Sequence, residues 1–193
     1  MTQLVLATHN AHKVIELRAV LGTLLAGIEL IGYDGPEPVE DGDSFEANAL
    51  IKARAAFEHT GIPAIADDSG IAATALGGAP GIHSARYAGS RVDADNVALL
   101  LTNLAGADDR SAAFICVAAF AGPGLELCER GTWRGTVLTE SVGAGGFGYD
   151  PVFEPASYSV SAAELNADEK NAVSHRAMAF SALMPAVRAH LLG

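Results

Sequence analysis

The sequence predicts a mixed α/β fold, because short apolar runs typical of buried strands alternate with segments whose apolar residues recur at helical spacing. The first such pair is a strand over residues 4–8 and a helix over 14–24, and a long β-hairpin is predicted over 112–138. A chain of 193 residues with 50% hydrophobic content is long enough to bury its own core. Residues 1–193 are therefore predicted to form a single domain, with two lobes around a central cleft.

Three kinds of local pattern define the predicted elements. Strands are predicted where apolar residues follow one another, helices where they recur every three to four positions, and loops where Gly and Pro cluster. The elements are, in chain order, a strand over residues 4–8, a helix over 14–24, a loop over 32–42, a helix over 43–59, a strand over 63–66, a loop over 77–89, a helix over 94–104, hairpin strands over 112–121 and 125–138, a glycine-rich loop over 143–148, and a last helix over 174–192.

Individual residues support several of these boundaries. Asp43 and Glu46 match the Asp-x-x-Glu capping pattern at the start of the second helix. Pro123 lies between two glycines at the centre of the predicted hairpin. Pro185 predicts a kink in the last helix. A further loop and strand are expected between the glycine-rich loop and that helix.

Charge and apolar patterning argue against several classes of function. A formal net charge of −11 disfavours nucleic-acid binding, which depends on many Lys and Arg contacts with phosphates. The chain has no basic leader and no run of 18 apolar residues, so we expect no membrane segment and a cytoplasmic location. Cys116 and Cys128 are expected to be two buried thiols, although their positions around the hairpin turn also allow them to face each other.

Two adjacent carboxylates, Asp67 and Asp68, follow the second predicted strand and precede Ser69 and Gly70. Carboxylate oxygens suit Mg²⁺, which takes a few oxygen ligands and keeps several waters. Because neighbouring side chains of a strand point to opposite faces, only one of the two aspartates is expected to reach the metal. The alternative interpretation is that the tetrapeptide caps a turn ahead of a helix.

Other charged residues add candidates. Glu40 and Asp41 lie in the acidic loop and are either metal ligands or solvated loop charges.

The chain has only three lysines, Lys13, Lys52 and Lys170. A protein of this net charge that binds a triphosphate must concentrate its few cations at the site, which shifts the interpretation of these lysines from solvated charges toward phosphate ligands. Lys13 also follows a strand-to-helix turn, where backbone N–H groups attract phosphate oxygens.

The glycine-rich loop carries aromatic and acidic residues. Residues 145–151 combine three glycines and a proline with Phe147, Tyr149 and Asp150. One interpretation is that Phe147 stacks on a nucleobase while Asp150 accepts hydrogen bonds. The other is a tight turn whose aromatic residues fill the core.

Ser174, His175 and Arg176 gather hydroxyl, imidazole and guanidinium donors at the start of the last predicted helix, where the helix dipole is positive. Ser174 is alternatively a simple N-cap. A Ser-His-Asp hydrolase lacks support because no Gly-x-Ser-x-Gly elbow occurs. The sequence also contains neither a P-loop nor a dinucleotide-binding motif.

Taken together, these segments resemble the inosine triphosphate pyrophosphatase family, also called the dITP/XTP or non-standard purine NTP pyrophosphatases. The resemblance runs in order through nearly the whole chain. Its segments are Leu6-Ala7-Thr8-His9-Asn10 with Lys13, Phe45-Glu46-Ala47-Asn48-Ala49 with Lys52-Ala53, Ile65-Ala66-Asp67-Asp68-Ser69-Gly70, Leu76-Gly77-Gly78-Ala79-Pro80-Gly81, residues 145–151 with Phe153, and Glu169-Lys170 with Ser174-His175-Arg176.

The resemblance implies a fold and an activity. The implied fold is α/β, with an elongated mixed β-sheet, flanking helices and two lobes around a central substrate cleft, usually in a homodimer. The implied activity is magnesium-dependent (Mg²⁺) hydrolysis of non-standard purine triphosphates such as ITP, dITP and XTP to the monophosphate and pyrophosphate.

The resemblance also implies roles for individual residues. Asp68 is the expected general base and a magnesium ligand, and Glu40 is the candidate for a second acidic ligand. The expected substrate-binding residues are Thr8, His9, Asn10, Lys13, Lys52, Ser69 and Lys170 for the triphosphate, Phe147, Gly148, Tyr149 and Asp150 for base and sugar, and His175 and Arg176 for the 6-keto group. The chain departs from the family at Ala47, where many members have Glu.

The resulting hypothesis is that Asp68 deprotonates a water that attacks the α-phosphorus, while donors of His175 and Arg176 select 6-keto purines. A related pyrophosphatase of the septum-inhibitor type, acting on pyrimidine or methylated nucleotides, is the enzymatic alternative, and His175, Arg176 and the Phe147 loop argue against it. A nucleotide sensor that binds without cleavage is the alternative from another class, and a phosphate-release assay distinguishes it from an enzyme.

Overall fold

The structure is a computed structural model that describes residues 1–10 and 13–193 in side-chain detail. Its strands are β1 (Thr2–Leu6), β2 (Ile28–Gly32), β3 (Ala64–Ala73), β4 (Ser111–Gly122), β5 (Leu125–Val137) and β6 (Phe153–Pro155). Its α-helices are α1 (Ala11–Leu21), α2 (Phe45–Thr60), α3 (Asp93–Asn103), α4 (Ala167–Val173) and α5 (His175–Leu192). Within the described residues, no helix combines the length and the apolar character needed to cross a membrane.

The six strands form a mixed sheet in the order β2-β1-β3-β4-β5-β6. β1 pairs in parallel with β2, with Leu4 opposite Leu30, and in parallel with β3, with Leu6 opposite Ile65. β6 pairs antiparallel with β5. β4 and β5 are adjacent and joined by two residues, as the predicted hairpin requires. The predicted α/β class and mixed sheet are therefore confirmed.

The chain divides into two compact units. The first comprises Met1–Asp68, Cys116–Gly131 and His175–Gly193, and the second comprises Ser69–Ile115 and Thr132–Ser174. Strands β3, β4 and β5 contribute residues to both. The single-domain assignment and the central cleft stay predictions.

The core of the first unit lies where α1 and α5 cover β1, β3 and β4. Apolar side chains of these elements exclude water from the sheet, which is the main favourable contribution to their packing. The buried residues of this core are Leu4, Leu6, Leu17, Leu21, Ile28, Ile65, Cys116, Ala118, Phe120, Ala179, Phe180, Leu183, Met184 and Val187. This core packs the middle of α5 and the second half of α1 against β1, β3 and β4.

The core of the second unit is built around three aromatic rings. The ring centroid of Phe153 lies 4.6 Å from that of Phe114 and 5.5 Å from that of Trp133, both in tilted, edge-on arrangements that aromatic pairs prefer. Leu100 of α3 and Tyr149, which follows the glycine-rich loop, belong to the same cluster. The end of that loop is therefore anchored in the core.

The predicted end of the second strand is wrong. β3 continues to Ala73, so Asp67 and Asp68 lie inside a strand and not at its C-terminal end. Asp and Gly are poor strand formers, but β3 has a neighbouring strand on each side. At Gly70 a Cβ would overlap the carbonyl oxygen of Gly81 and the hydroxyl of Ser84, so this glycine allows a close backbone approach within the second unit.

Several helix boundaries also differ from the prediction. Ser44, not Asp43, caps α2, and its hydroxyl accepts the N–H of Ala47 at 3.2 Å. Helix α4 was not predicted, although Asn166 and Glu169 form a reciprocal capping box at its start. Strand β2 was also missed. The last helix begins one residue after Ser174, which is the C-cap of α4.

The two cysteines are free thiols, as expected. Cys116 is buried in the core of the first unit, whereas Cys128 is only half-buried, which corrects the expectation of two buried thiols. Burial raises the pKa of Cys128 to about 11. Its thiol therefore stays protonated, and a poor nucleophile, at neutral pH.

Gly131 of β5 packs closely against the backbone at the start of α5. A Cβ there would overlap the carbonyl oxygen of His175 and lie 2.7 Å from the backbone nitrogen of Ala179. We expect Gly131→Ala to lower the free energy of unfolding in urea by about 1–3 kcal/mol, the usual cost of overpacking. Gly32→Ala is the control, because a Cβ there meets nothing within 4 Å. Equal unfolding midpoints for the two variants would contradict this packing.

Candidate active site

The turn between β1 and α1 presents polar groups at the start of a helix. Asn10 caps α1, because its Oδ1 accepts the backbone N–H of Lys13 at 3.2 Å. The N–H of Asn10 in turn donates to the Thr8 hydroxyl at 3.2 Å. Nδ1 of His9 lies 3.3 Å from a carboxylate oxygen of Glu37 in the acidic loop. In general, the backbone N–H groups and the dipole at the start of a helix favour an anion.

Asp67 is the buried anchor of the first unit. Its side chain is fully shielded from solvent, and its Oδ2 binds Nζ of Lys13 at 2.9 Å and Nε of Arg176 at 3.4 Å. The thiol of Cys116 lies 3.8 Å from the same oxygen. Two cations and one anion are thus held together in a place where an unpaired charge would be costly.

Asp68 has different neighbours, because successive side chains of a strand point to opposite faces. Its Oδ1 binds Nζ of Lys52 at 3.3 Å, and the same ammonium group binds Glu40 at 3.2 Å. Its Oδ2 is buried and has no hydrogen-bond partner among the described residues. Lys52 therefore brings two carboxylates together while one oxygen of Asp68 stays available.

Their surroundings move the pKa values of the two aspartates in opposite directions. Burial acts to raise the pKa of Asp67, but nearby cations, above all Lys13 and Arg176, outweigh burial and hold that pKa well below its ordinary value. Burial raises the pKa of Asp68 above its ordinary value, and the attraction of Lys52 does not cancel this effect. Asp67 thus remains a charged anchor, whereas Asp68 is the more basic carboxylate.

Two hydrogen bonds involve backbone groups of the acidic loop that carries Glu40. The N–H of Gly42 donates to Oδ1 of the buried Asn48 in α2 at 2.9 Å. The hydroxyl of Tyr33 donates to the carbonyl oxygen of Pro36 at 3.2 Å. The first bond ties the end of the loop to α2, and the second is a local bond within the loop that carries Glu40.

Arg176 is fixed by two carboxylates at the start of α5. Besides Asp67, its guanidinium group binds Glu16 of α1 through Nη1 at 2.6 Å. Arg176 is only 1% exposed, and its neighbour His175 is 5% exposed. Burial acts to lower the pKa of Arg176, but Asp67 and Glu16 outweigh burial and raise it. The guanidinium group is therefore a fixed, permanently charged donor.

The second unit contains a separate cluster around the glycine-rich loop. Oδ2 of the buried Asp150 accepts the N–H of Phe147 at 2.8 Å and binds Nζ of Lys170 at 2.6 Å. The ammonium group of Lys170 also lies 5.0 Å from the centroid of the Phe147 ring, within the range of a cation–π contact. At Gly146 a Cβ would overlap Asp150, so this position requires glycine. The buried ion pair of Asp150 and Lys170 thus contacts both the backbone N–H and the half-exposed ring of Phe147.

The structure brings most of the predicted site residues together in two groups. In the first unit, Thr8, His9 and Asn10 form the turn before α1, Lys13 and Arg176 meet at Asp67, and Lys52 joins Glu40 to Asp68. His175 is buried and precedes Arg176 in the sequence. The group in the second unit consists of Phe147, Gly148, Tyr149, Asp150 and Lys170. Ser69 lies in β3, directly after Asp68. Lys170, which was predicted to bind the triphosphate, forms an ion pair with Asp150 of the second unit. The roles of all these residues stay predictions.

Two contacts of the site were not predicted from the sequence. Asp67, one of the two adjacent candidate carboxylates, is the partner of Lys13 and Arg176, and this pairing was not predicted. Glu16 was not singled out, although it lies nearly one helical turn after Lys13 and binds Arg176. The capping pattern at the start of α4 was the one local signal that could have placed Lys170 on a helix.

The chain is similar to known proteins along nearly its whole length. Residues 4–186 match the model of the Ham1 family. A dITP/XTP pyrophosphatase of Leifsonia xyli is 52% identical over 193 residues, covering 98% of this chain and 97% of that protein. One of Streptomyces coelicolor is 49% identical, with full coverage of both chains. The solved structure of a HAM1 protein from Coxiella burnetii superposes with a TM-score of 0.88 at 41% identity, covering 98% of this chain and 100% of that one.

Replacing each of the two adjacent aspartates by Asn should affect the free energy of unfolding differently. Asp67→Asn leaves Lys13 and Arg176 without their shared buried anion, so we expect the free energy of unfolding to fall by about 3 kcal/mol. Asp68→Asn removes a charge that the fold disfavours, so stability should be unchanged or slightly raised. Urea unfolding of both variants at pH 7 checks this, with each variant serving as the control of the other. Equal losses would contradict the assignment of Asp67 as the anchor.

Proposed function

The chain belongs to the Ham1 family, and from this premise we propose that it hydrolyses non-standard purine nucleoside triphosphates, such as dITP, XTP and ITP, to the monophosphate and pyrophosphate. The observation that carries the proposal is the arrangement of the two aspartates. Each aspartate has one buried oxygen without a hydrogen-bond partner among the described residues. Asp67 is paired with two cations, Lys13 and Arg176. Asp68 instead shares the single ammonium group of Lys52 with Glu40. Relatives named dITP/XTP pyrophosphatases supply the substrate class.

Asp68 is the general base of the proposed reaction. Its raised pKa brings it closer to the range in which a carboxylate accepts a proton from water effectively. Lys52 fixes Oδ1, which leaves Oδ2 to take the proton of the water that attacks the α-phosphorus. Phosphoryl transfer of this kind proceeds by positioning and charge stabilisation, so a covalent nucleophile is not required.

Magnesium is the proposed cofactor, and Asp68 and Glu40 would hold it. The carboxylates of Asp68 and Glu40, which share the ammonium group of Lys52, fit an ion that binds through one or two carboxylates together with phosphate oxygens. No group of three or more His, Cys, Asp or Glu that could hold a metal was found among the residues described in side-chain detail. When bound, Mg²⁺ would offset the negative charge of the phosphates.

Phosphate binding is proposed for the start of α1 and for the lysines of the first unit. The hydroxyl of Thr8 and the capped helix start after Asn10 offer donors, and His9 lies in the same turn. Lys13 and Lys52 bring positive charge beside Asp67 and Asp68. In a chain of net charge −11, such local clustering is what makes a polyanionic substrate acceptable.

Selection of the base is proposed for His175 and Arg176. Arg176 can only donate hydrogen bonds, so it suits the 6-keto oxygen of hypoxanthine or xanthine and opposes the 6-amino group of adenine. Because Glu16 and Asp67 already orient the guanidinium group, little side-chain freedom is lost when a base binds. Phe147 is proposed to stack on the base, and Gly148, Tyr149, Asp150, Ser69 and Lys170 keep the substrate-binding roles that the family implies.

The proposal includes two properties beyond the chemistry. We propose that the protein acts in the cytoplasm, where nucleotide pools are maintained, and that it functions as a homodimer, as the family resemblance implies. Light scattering coupled to size-exclusion chromatography measures the second property directly.

Pyrophosphate release tests the proposed activity. We expect rapid release from dITP, XTP and ITP in the presence of Mg²⁺, much slower release from ATP and GTP, and loss of activity when the metal is chelated. Release from all five triphosphates at similar rates would contradict the base selection. Binding of dITP without any release would favour the nucleotide sensor instead.

Asp68→Asn in the same assay tests the base. Since general-base catalysis contributes about 10²–10⁴-fold to a rate, we expect kcat to fall by that factor while dITP still binds, as measured by calorimetry. Asp109→Asn is the control, because that carboxylate is fully exposed and lies in a loop of the second unit. An Asp68→Asn enzyme with most of its kcat intact would show that another group takes the proton.

A further inference from the structure

We propose that Asp93 is a positioning residue for the glycine-rich loop, residues 143–148, and that it sets the orientation in which the Phe147 ring meets the purine. The inference rests on the proposed function, in which Phe147 stacks on the base. Asp93 belongs to the second unit and lies outside the residues that the family resemblance singles out.

A single strong hydrogen bond links Asp93 to the loop. Asp93 is the first residue of α3, and its Oδ2 accepts the backbone N–H of Gly148 at 2.7 Å. The two residues are 55 positions apart in the sequence, so the bond fastens one element to another. A bond between a carboxylate and an N–H group is shorter and stronger than one between neutral partners.

The neighbours of Gly148 are fastened elsewhere in the second unit. The N–H of Phe147 donates to Asp150 at 2.8 Å, and the hydroxyl of Tyr149 donates to the carbonyl oxygen of Ser84 at 2.8 Å. Gly148 itself has a φ of +61°, in the left-handed region that glycine adopts without strain and leaves easily. Asp93 therefore fixes the peptide unit that directly follows Phe147.

The position of Asp93 at a helix start does not by itself explain this contact. Asp95 lies in the same first turn of α3 and has the same favourable interaction with the helix dipole. Its carboxylate, however, accepts the hydroxyl of Ser90 at 2.7 Å, a contact that does not involve the glycine-rich loop. A comparison of Asp93 with Asp95 therefore distinguishes an effect on the stability of α3 from an effect on the glycine-rich loop.

Asp93 is exposed, so its loss should affect the loop more than the stability of the fold. A loop that samples several conformations presents Phe147 correctly for only part of the time, which weakens binding by that fraction. The chemical step depends on groups of the first unit and should change little. The expected signature is a raised KM at nearly constant kcat and constant Tm.

The test compares Asp93→Ala with Asp95→Ala in pyrophosphate release from dITP. We expect Asp93→Ala to raise KM about three- to tenfold with kcat within about twofold, because a charge-assisted hydrogen bond is lost. Asp95→Ala should leave KM unchanged. Asp93→Asn, whose amide oxygen can still accept the bond, should restore part of the loss. Equal KM values for the two alanine variants would overturn the proposal.

A double-mutant cycle with Phe147→Ala tests whether Asp93 acts through the aromatic ring. If it does, Asp93→Ala raises KM in the wild-type background but adds no further increase when Phe147 is already removed. An undiminished effect of Asp93→Ala in the Phe147→Ala background would overturn the proposal.

Hydrogen exchange supplies a readout that does not depend on activity. Asp93→Ala should increase amide exchange in a peptide covering residues 143–149, whereas Asp95→Ala should not. Unchanged exchange in Asp93→Ala would overturn the positioning role. Absence of pyrophosphate release from the wild-type protein would instead overturn the proposed function, and the two failures are thereby distinguished.

Discussion

The carboxylate of Asp67 lies between the ammonium group of Lys13 and the guanidinium group of Arg176, at a place from which solvent is excluded. Each of these charges would be costly to bury alone, and together they offset one another. The three residues come from α1, β3 and α5, which are far apart in the sequence. Oδ2 of Asp67 thus binds both the lysine near the helix start proposed for phosphate binding and the arginine proposed for base selection.

The same strand gives the next residue a different environment. Because side chains alternate along β3, Asp68 lies away from that ion cluster and meets Lys52 and Glu40 instead. The pKa of Asp67 is lowered and that of Asp68 is raised, although both are buried aspartates. Titratable pairs whose pKa values are pushed apart are typical of acid–base sites. The division of roles between anchor and base therefore depends on β3 remaining extended through both residues.

Local patterns predicted much of this site but not its pairings. Helical spacing and the scarcity of lysine were enough to select Lys13 and Lys52. The alternation of side chains along a strand indicated that only one of the two aspartates reaches the metal, and the family resemblance selected Asp68. The continuation of β3 was missed because Asp-Asp-Ser-Gly is typical of a turn, and only pairing with neighbouring strands keeps it extended. The partnership of Glu16 with Arg176 joins residues 160 positions apart, which no local pattern encodes.

The central claim is that Asp67 is a permanently paired anchor and that Asp68 alone of the two serves the reaction. A crystal structure with Mg²⁺ and a non-hydrolysable dITP analogue tests it most directly. The account predicts an Asp68 oxygen within about 2.1 Å of the ion, the usual distance for this metal, with Asp67 still bound by Lys13 and Arg176. An ion coordinated by Asp67, with Lys13 displaced from it, would contradict the account.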